Sequence, residues 1–340
     1  MRFGMFDQSE QSGGLPAAEL YESRLRLAER AEAGGFWGYH KSEHHMIPLD
    51  HAPSIGLFLA ALAQRTTTLR LCSLVHLLPF YHPIRLIEEV CMLDHLSNGR
   101  FEFGFGKGIS APEHQLWGLD PDEATARTDE MLDLLLAAFA SDDDRFSYSG
   151  AFWQLTDVPL EIRPLQQPHP PMWRPGTVET AATLGVSTLA GGPIERVNQS
   201  IETYKAAYRP GVGGGHPATV GAIRKFIVAP TDAEADAIGA RTWPAYSEHL
   251  TRLFRRYDVP VPNDPTIGGD YEMAKKVQAI VVGSPQRVRD HVEELTAAGL
   301  VEYVVGGFSF GDLSHDEALR SIELFAEHVV EPLGAQPAAA

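Results

Sequence analysis

Cysteine is nearly absent from the chain, which has two, Cys72 and Cys91, in 340 residues. Both lie in apolar segments and read as small core residues rather than a disulfide, which excludes a cystine-stapled secreted scaffold. Basic residues are also scarce, 28 Lys and Arg against 45 Asp and Glu, for a net charge of -17. That balance argues against a nucleic-acid or anionic-membrane partner and otherwise speaks only to solubility. No run approaches the roughly 20 apolar residues of a membrane span, and the opening MRFGMFDQ lacks a basic region followed by an apolar one. A cytoplasmic protein is expected. Also missing are a Gly-x-Ser-x-Gly elbow, a paired-Cys motif and a P-loop, so nucleophilic and phosphoryl-transfer chemistry lack support.

What is present is a regular alternation of strand and helix patterns. Hydrophobic residues make up 44% of the chain, enough for a large core. Strands are expected at 2–6, 36–40, 69–77, 100–105, 172–175, 187–191, 220–229 and 302–307, nearly all followed by a helical stretch. The run LRLCSLVHL at 69–77 is continuously apolar, as in a strand buried on both faces. Helices are expected at 83–97, 121–139, 231–257, 285–298 and 315–330, among others. Regular alternation fits either a closed eight-stranded barrel or an open doubly wound sheet. The count of eight, and no dinucleotide fingerprint after the first strand, favour a (β/α)8 TIM barrel. One domain is expected over 1–333, with insertions about 141–170, 209–219 and 258–278 and a frayed tail at 334–340. The first insertion looks like a surface hairpin, and the last has no clear period, as in a lid or a linker.

A barrel places catalytic groups at strand C-terminal ends and in the loops that follow. After the second strand come His40, Glu43, His44 and His45. His40 to His44 matches the H-x-x-E-H pattern of one zinc-peptidase class, but that pattern needs a helix and the context here is β-like, so no metal site is expected. The bland reading is a polar loop with surface histidines. The functional one makes His44 an imidazole acting near neutral pH at the barrel mouth. The loop FGFGKGISAPE (103–113) has glycines at 104, 106 and 108, a spacing unlike the Rossmann fingerprint. Pro112 discourages an immediate helix there. These glycines serve tight turns, or let a flat ligand lie on backbone beside Lys107. Pro175-Gly176-Thr177 precedes a helix and is either a phosphate site, with Arg174 or Arg127 supplying charge, or an ordinary Thr-capped start.

Several segments together carry a family resemblance: RFGMF, the Glu43-His44-His45 triplet, LPFYHPIRLIEEVCMLDHLSNGRFEFGFGKG, and later VGSPQRV with a GF-containing C-terminal segment. The chain resembles the bacterial luciferase-like flavin monooxygenases, which are TIM barrels. The similarity runs almost end to end and is loosest over 140–280. The resemblance implies that His44 is the active-site histidine, flanked by Glu43 and His45. It puts Leu74 and Val75 where relatives have a non-prolyl cis peptide against the flavin ring. Gly106 falls where luciferase has a reactive cysteine, Lys107 on an arginine at the flavin phosphate, and Arg127 on a second phosphate-side arginine. Glu113 falls on an acidic residue near the flavin. The phosphate loop falls at Gly176 and Thr177.

The activity so implied is a monooxygenase that takes reduced FMN (FMNH2) from a separate flavin reductase. Through a C4a-peroxyflavin and O2 it oxygenates a small lipophilic organic substrate such as an aldehyde or ketone. Phe80, Trp117, Phe152 and Trp173 are candidates for the substrate wall or for core. Relatives that use deazaflavin (coenzyme F420) share the barrel, so a deazaflavin oxidoreductase is the first alternative, and a non-catalytic flavin-binding partner subunit the second. A homodimer through the second and third helices is expected, with Ile87, Val90 and Cys91 either on that face or packed on the barrel.

Overall fold

The structure, a computed structural model, describes residues 1–11, 14–262, 264 and 266–334. The tail expected to fray lies outside the described residues from 335 onward. In the first half, β1 (Arg2–Asp7), β2 (Gly38–Lys41), β3 (Arg70–Ser73), β4 (His76–Leu77) and β5 (Phe101–Gly106) run parallel. The chain returns between them through α1 (Ala17–Ala33), α2 (Ile55–Ala63) and α3 (Pro83–Leu96). Each helix is punctuated as the sequence demands. Pro83 opens α3, where its missing N–H costs nothing, and Asn98 and Gly99, both at positive φ, turn the chain into β5.

Then come α4 (Ala111–Leu116), α5 (Ala124–Ala140), β6 (Arg145–Ser149), β7 (Gln154–Pro159), β8 (Met172–Trp173), α6 (Val178–Leu184), β9 (Thr188–Ala190) and α7 (Ile194–Ala207). The chain ends with β10 (Val220–Val228), α8 (Asp232–Arg256), α9 (Tyr271–Lys276), β11 (Ile280–Gly283), α10 (Pro285–Thr296), β12 (Tyr303–Gly307) and α11 (His315–Phe325). The antiparallel pair β6–β7 is the expected surface hairpin.

The result is a mostly parallel, curled sheet clad in helices. Its pairings form a circuit: β1 to β2, β3, β5 and β8, then a single bridge from Trp173 to Ser187 beside β9, then β10, β12 and back to β1. On the β10 edge opposite β12, β9 covers Val220–Ala222 and β11 covers Lys225–Val228. Ile223 and Arg224 are left uncovered between them.

Three expectations change. The apolar run 69–77 is two strands, β3 and β4, parted by a cis peptide between Leu74 and Val75. Across the gap the Ser73 hydroxyl donates to the Gly104 carbonyl at 3.0 Å and accepts from its N–H at 2.8 Å, replacing the missing ladder bonds. Pro112 does not prevent a helix, because it sits in the first turn of α4, where no N–H is needed, and Ser110 caps that turn. The stretch 258–278 holds α9, with β11 just beyond it; both are too short for periodicity to reveal.

Among the described residues the core has three clusters. One cluster, including Phe3, Leu59, Val90, Phe101 and Phe226, fills the space between sheet and helices. Another lies on the strands' other face and joins Cys72, Leu74, Trp173, Leu189, Tyr303 and Val305, with Phe6, Val75 and Ile223 packed on it. The third joins Leu49, Ile227, Trp243, Tyr246 and Phe310 beneath α8. Both cysteines are free and buried. Ile87, Val90 and Cys91 belong to the first cluster, so they pack on the sheet rather than forming an open face.

Candidate active site

Buried contacts at the end of β2 fix the geometry of the expected histidine loop. Lys41 and Asp50, both fully buried, pair at 2.6 Å and pin the loop's beginning to its end. Burial raises the Asp50 pKa to about 6 even against the pull of Lys41. His40 points away from the loop and meets the Tyr303 hydroxyl at 2.6 Å; burial drives its pKa down to about 3, so it is neutral. The run His40 to His44 is extended rather than helical, and the two imidazoles do not share a helical face.

Glu43 is held from three sides. Its carboxylate accepts from the Leu77 N–H at 3.0 Å and the Tyr81 hydroxyl at 2.9 Å, and contacts His45 Nε2 at 2.8 Å. This ties the loop after β2 to the segment after β4. Glu113, at the start of α4, accepts from the His45 N–H at 2.6 Å and sets its other oxygen 3.6 Å from His44 Nδ1. Burial works against charge on His44, but the Glu113 carboxylate outweighs it, with Asp50 adding, and the His44 pKa is raised. Burial likewise pushes Glu113 up, and the two histidines beside it more than reverse this, so its pKa is lowered. The pair therefore favours imidazolium and carboxylate.

His44 and Glu43 open into a cavity of about 480 Å³ at the strand C-termini. Leu74, Val75, Gly106, Lys107, Gly176 and Thr177 line it too, so one space gathers eight of the residues expected from the sequence. The size is that of a small-cofactor site. Gly106 faces Val75 closely, since a β-carbon there would lie 2.9 Å from Val75 Cγ2. Lys107 is exposed and donates to the Thr125 hydroxyl at 3.2 Å. Gly176 takes φ +111°, a conformation that favours glycine, and the Thr177 side chain makes no cap bond to α6.

The remaining three expected residues stand back. Glu113 and His45 act on the loop from behind, and Arg127 pairs with Glu123 at 2.8 Å while its guanidinium lies over Phe152. The cavity's second cation, beside Lys107, is Arg174 rather than Arg127; its Nη1 is buried without a hydrogen-bond partner and lies 3.8 Å from Asp129. Ser42, Thr125 and Thr180, also on the wall, carried no sequence signal, because short polar residues in loops are too common. Of the four aromatic residues expected in the substrate wall or the core, none lines this cavity. Trp173 is core and donates to Glu102, and Phe80 stacks on Trp117 beside His45.

A second cavity of about 300 Å³ opens at the C-terminal ends of β1 and β9 and beside the middle of β10, under α8 and residues 264, 266 and 267. Phe6, Ile223, Lys225, Trp243 and Tyr246 line it. Phe6 and Ile223 pack in the same cluster as Leu74 and Val75, so the two spaces are neighbours.

A parallel α/β sheet with its polar loops gathered at the strand C-termini is the architecture of an enzyme. The chain belongs to the luciferase-like monooxygenases, whose family profile matches residues 1–302. It is 34% identical over 329 residues to the oxygenase component of a flavin-dependent trigonelline monooxygenase from Acinetobacter baylyi, covering 89% of this chain and 88% of the relative. It is also 34% identical over 340 residues to an uncharacterised protein of Sinorhizobium fredii, covering 98% of each. A monooxygenase from Streptomyces bottropensis superposes with a TM-score of 0.82 at 26% identity, over 98% of this chain and 100% of the other. The protein is thus an oxidoreductase, a flavin-dependent monooxygenase of this family. No helix among the described residues is long and apolar enough to cross a membrane.

Proposed function

We propose that this protein is the oxygenase component of a cytoplasmic two-component system, a single (β/α)8 barrel over 1–333 that uses reduced FMN from a separate reductase. One observation carries the reading. The cavity that His44 enters, with its charge sustained by buried Glu113, also gathers Val75, Gly106 and the Arg174 guanidinium, whose Nη1 makes no hydrogen bond. The residues fit an FMN. Val75 and Gly106 offer a flat apolar floor, and Arg174, Lys107, Thr177 and Gly176 offer a cation pair, a free hydroxyl and open backbone to a phosphate.

When bound, the reduced flavin supplies the electrons that activate O2. The chain's own tasks are to hold the ring, to keep water off it and to move one proton. Leu74, Val75 and Leu77 exclude water from the inner wall. His44 holds a proton at its imidazole and delivers it at the reacting oxygen, with Glu113 steadying the charged form. Glu43 and His45 keep the loop in register through Leu77 and Tyr81. The substrate is a small, largely apolar organic molecule such as an aldehyde or ketone. Two copies associate through α2 and α3, where Leu57 and Met92 are 76% and 52% exposed.

The test is rapid mixing of protein loaded with reduced FMN against O2, followed spectrally. The expected result is a long-lived absorbing species distinct from reduced and oxidised FMN, and His44→Ala lowers product turnover about 100-fold or more with flavin affinity kept. Absence of that species, or preferential binding of reduced deazaflavin without oxygen uptake, overturns the reading.

A further inference from the structure

The second cavity carries a charge that the chain leaves unanswered. Lys225 projects from β10 toward it, and its ammonium donates to one neutral acceptor, Gln8 Oε1, at 3.1 Å. Among the described residues no carboxylate lies within ion-pair distance of Nζ. The rings of Tyr246, Phe310 and Phe6 surround it, with centroids at 4.0, 4.7 and 6.0 Å. Such faces stabilise a cation without neutralising it. Burial lowers the Lys225 pKa to about 8, the charges of Glu10 and Asp7 opposing, so it remains mostly protonated at neutral pH. Neither acid reaches ion-pair distance of Nζ: Glu10 spends Oε1 on His249 at 2.5 Å and keeps Oε2 buried without a hydrogen-bond partner, and Asp7 accepts from the Tyr39 hydroxyl at 2.5 Å.

A second cation adjoins it. Arg224, 2% exposed, lines the same cavity at the uncovered stretch of the β10 edge. Its Nη1 donates to the Ile223 carbonyl at 2.8 Å, while Nε and Nη2 have no hydrogen-bond partner. Arg196 is exposed at the rim. The acid on the wall is Asp264, whose carboxylate accepts from the Thr266 N–H and hydroxyl. In a chain of net charge -17, a pocket with three cations and one occupied acid is a local reversal of sign. Buried cations lacking an anion are costly unless a ligand supplies one.

We propose that this cavity binds the carboxylate of a ring-bearing organic acid, with Lys225 as its counter-charge and Trp243, Tyr246 and Phe6 against its ring. That this acid is the substrate rests on the reading of the neighbouring cavity as the reacting centre; that the cavity binds a carboxylate does not. The aromatic and aliphatic walls distinguish this ligand from a bare inorganic anion or a cofactor phosphate, which would gain nothing from them. Lys225 is then a specificity-determining residue, which selects anionic over neutral substrates of the same shape.

The experiment titrates flavin-free full-length protein with benzoate, with its neutral isostere benzamide and with inorganic phosphate, by calorimetry and tryptophan fluorescence. Benzoate is expected to bind at least tenfold more tightly than benzamide or phosphate. Lys225→Met abolishes that preference and Lys225→Arg retains it, with thermal unfolding confirming that each variant is folded. Lys225→Gln serves as the neutral variant if the methionine form does not fold. Equal affinity for benzoate and benzamide, no binding of either, phosphate binding as tight as benzoate, or a preference that survives loss of the charge overturns the proposal. The assay contains no flavin and hence no turnover, so a failed oxygenation leaves its result standing, and a failed titration leaves the His44 cavity unaffected.

Discussion

At the scale of single residues, the His44–Glu113 pair decides how the site responds to pH. Glu113 raises the imidazole's pKa above its usual value near 6.5, and His44 and His45 lower that of the carboxylate. A raised histidine pKa gives stability that is complete below the unfolded value and is lost as pH rises through the folded one. A lowered carboxylate pKa gives stability that is complete above its unfolded value and is lost as pH falls through the folded one. The pair is therefore strongest between those limits, in mildly acidic solution. If His44 delivers a proton, turnover falls as pH rises past its raised pKa. Glu113→Gln removes the main support for the charged imidazole, so the alkaline limb of the kcat profile shifts to lower pH in that variant. An unshifted limb would assign that ionisation to another group.

At the scale of the element, β5 separates architecture from site within three residues. A β-carbon on Gly104 would overlap the Ser73 carbonyl oxygen, and backbone cannot move aside. At Gly106 the same addition meets only the Val75 side chain, at 2.9 Å, and a side chain can shift. Gly104→Ala is therefore expected to cost about 3 kcal/mol or more in denaturant unfolding, as overpacking against backbone does. Gly106→Ala costs about 1 kcal/mol or less, but pushes Val75 into the cavity and weakens FMN binding several-fold in a direct titration. The opposite ranking would mean that the ribbon at the cis peptide is looser than its Ser73 bridge indicates.

At the scale of the whole molecule, the open question is what covers the apolar residues left outside the core. Leu57 on α2 and Met92 and Leu96 on α3 are 76%, 52% and 45% exposed, on the two helices expected to mediate dimerisation. Isolated exposed apolar residues are ordinary, but three on two adjoining helices suit an interface between copies. Leu57→Glu is expected to shift the protein from dimer to monomer in sedimentation with unfolding midpoint nearly unchanged. An unaltered sedimentation coefficient would place any interface elsewhere.

The sequence by itself determined the strand–helix alternation, because buried parallel strands need continuous apolar runs and helices need a stripe, and both are local patterns. Pro83, Asn98 and Gly99 marked their element ends for the same local reason. His44 and Gly106 were legible from their loops at strand C-terminal ends as well as from the family resemblance, and Val75 from the resemblance alone. Only the tertiary structure decided that Glu113 stands behind His44 rather than in the cavity, and that Arg174 rather than Arg127 faces it. It alone also brought Lys225, Gln8 and Tyr246 to one place. Those relations join residues far apart in the chain, and which side of a strand or loop a polar group takes is settled by packing, which no local pattern encodes.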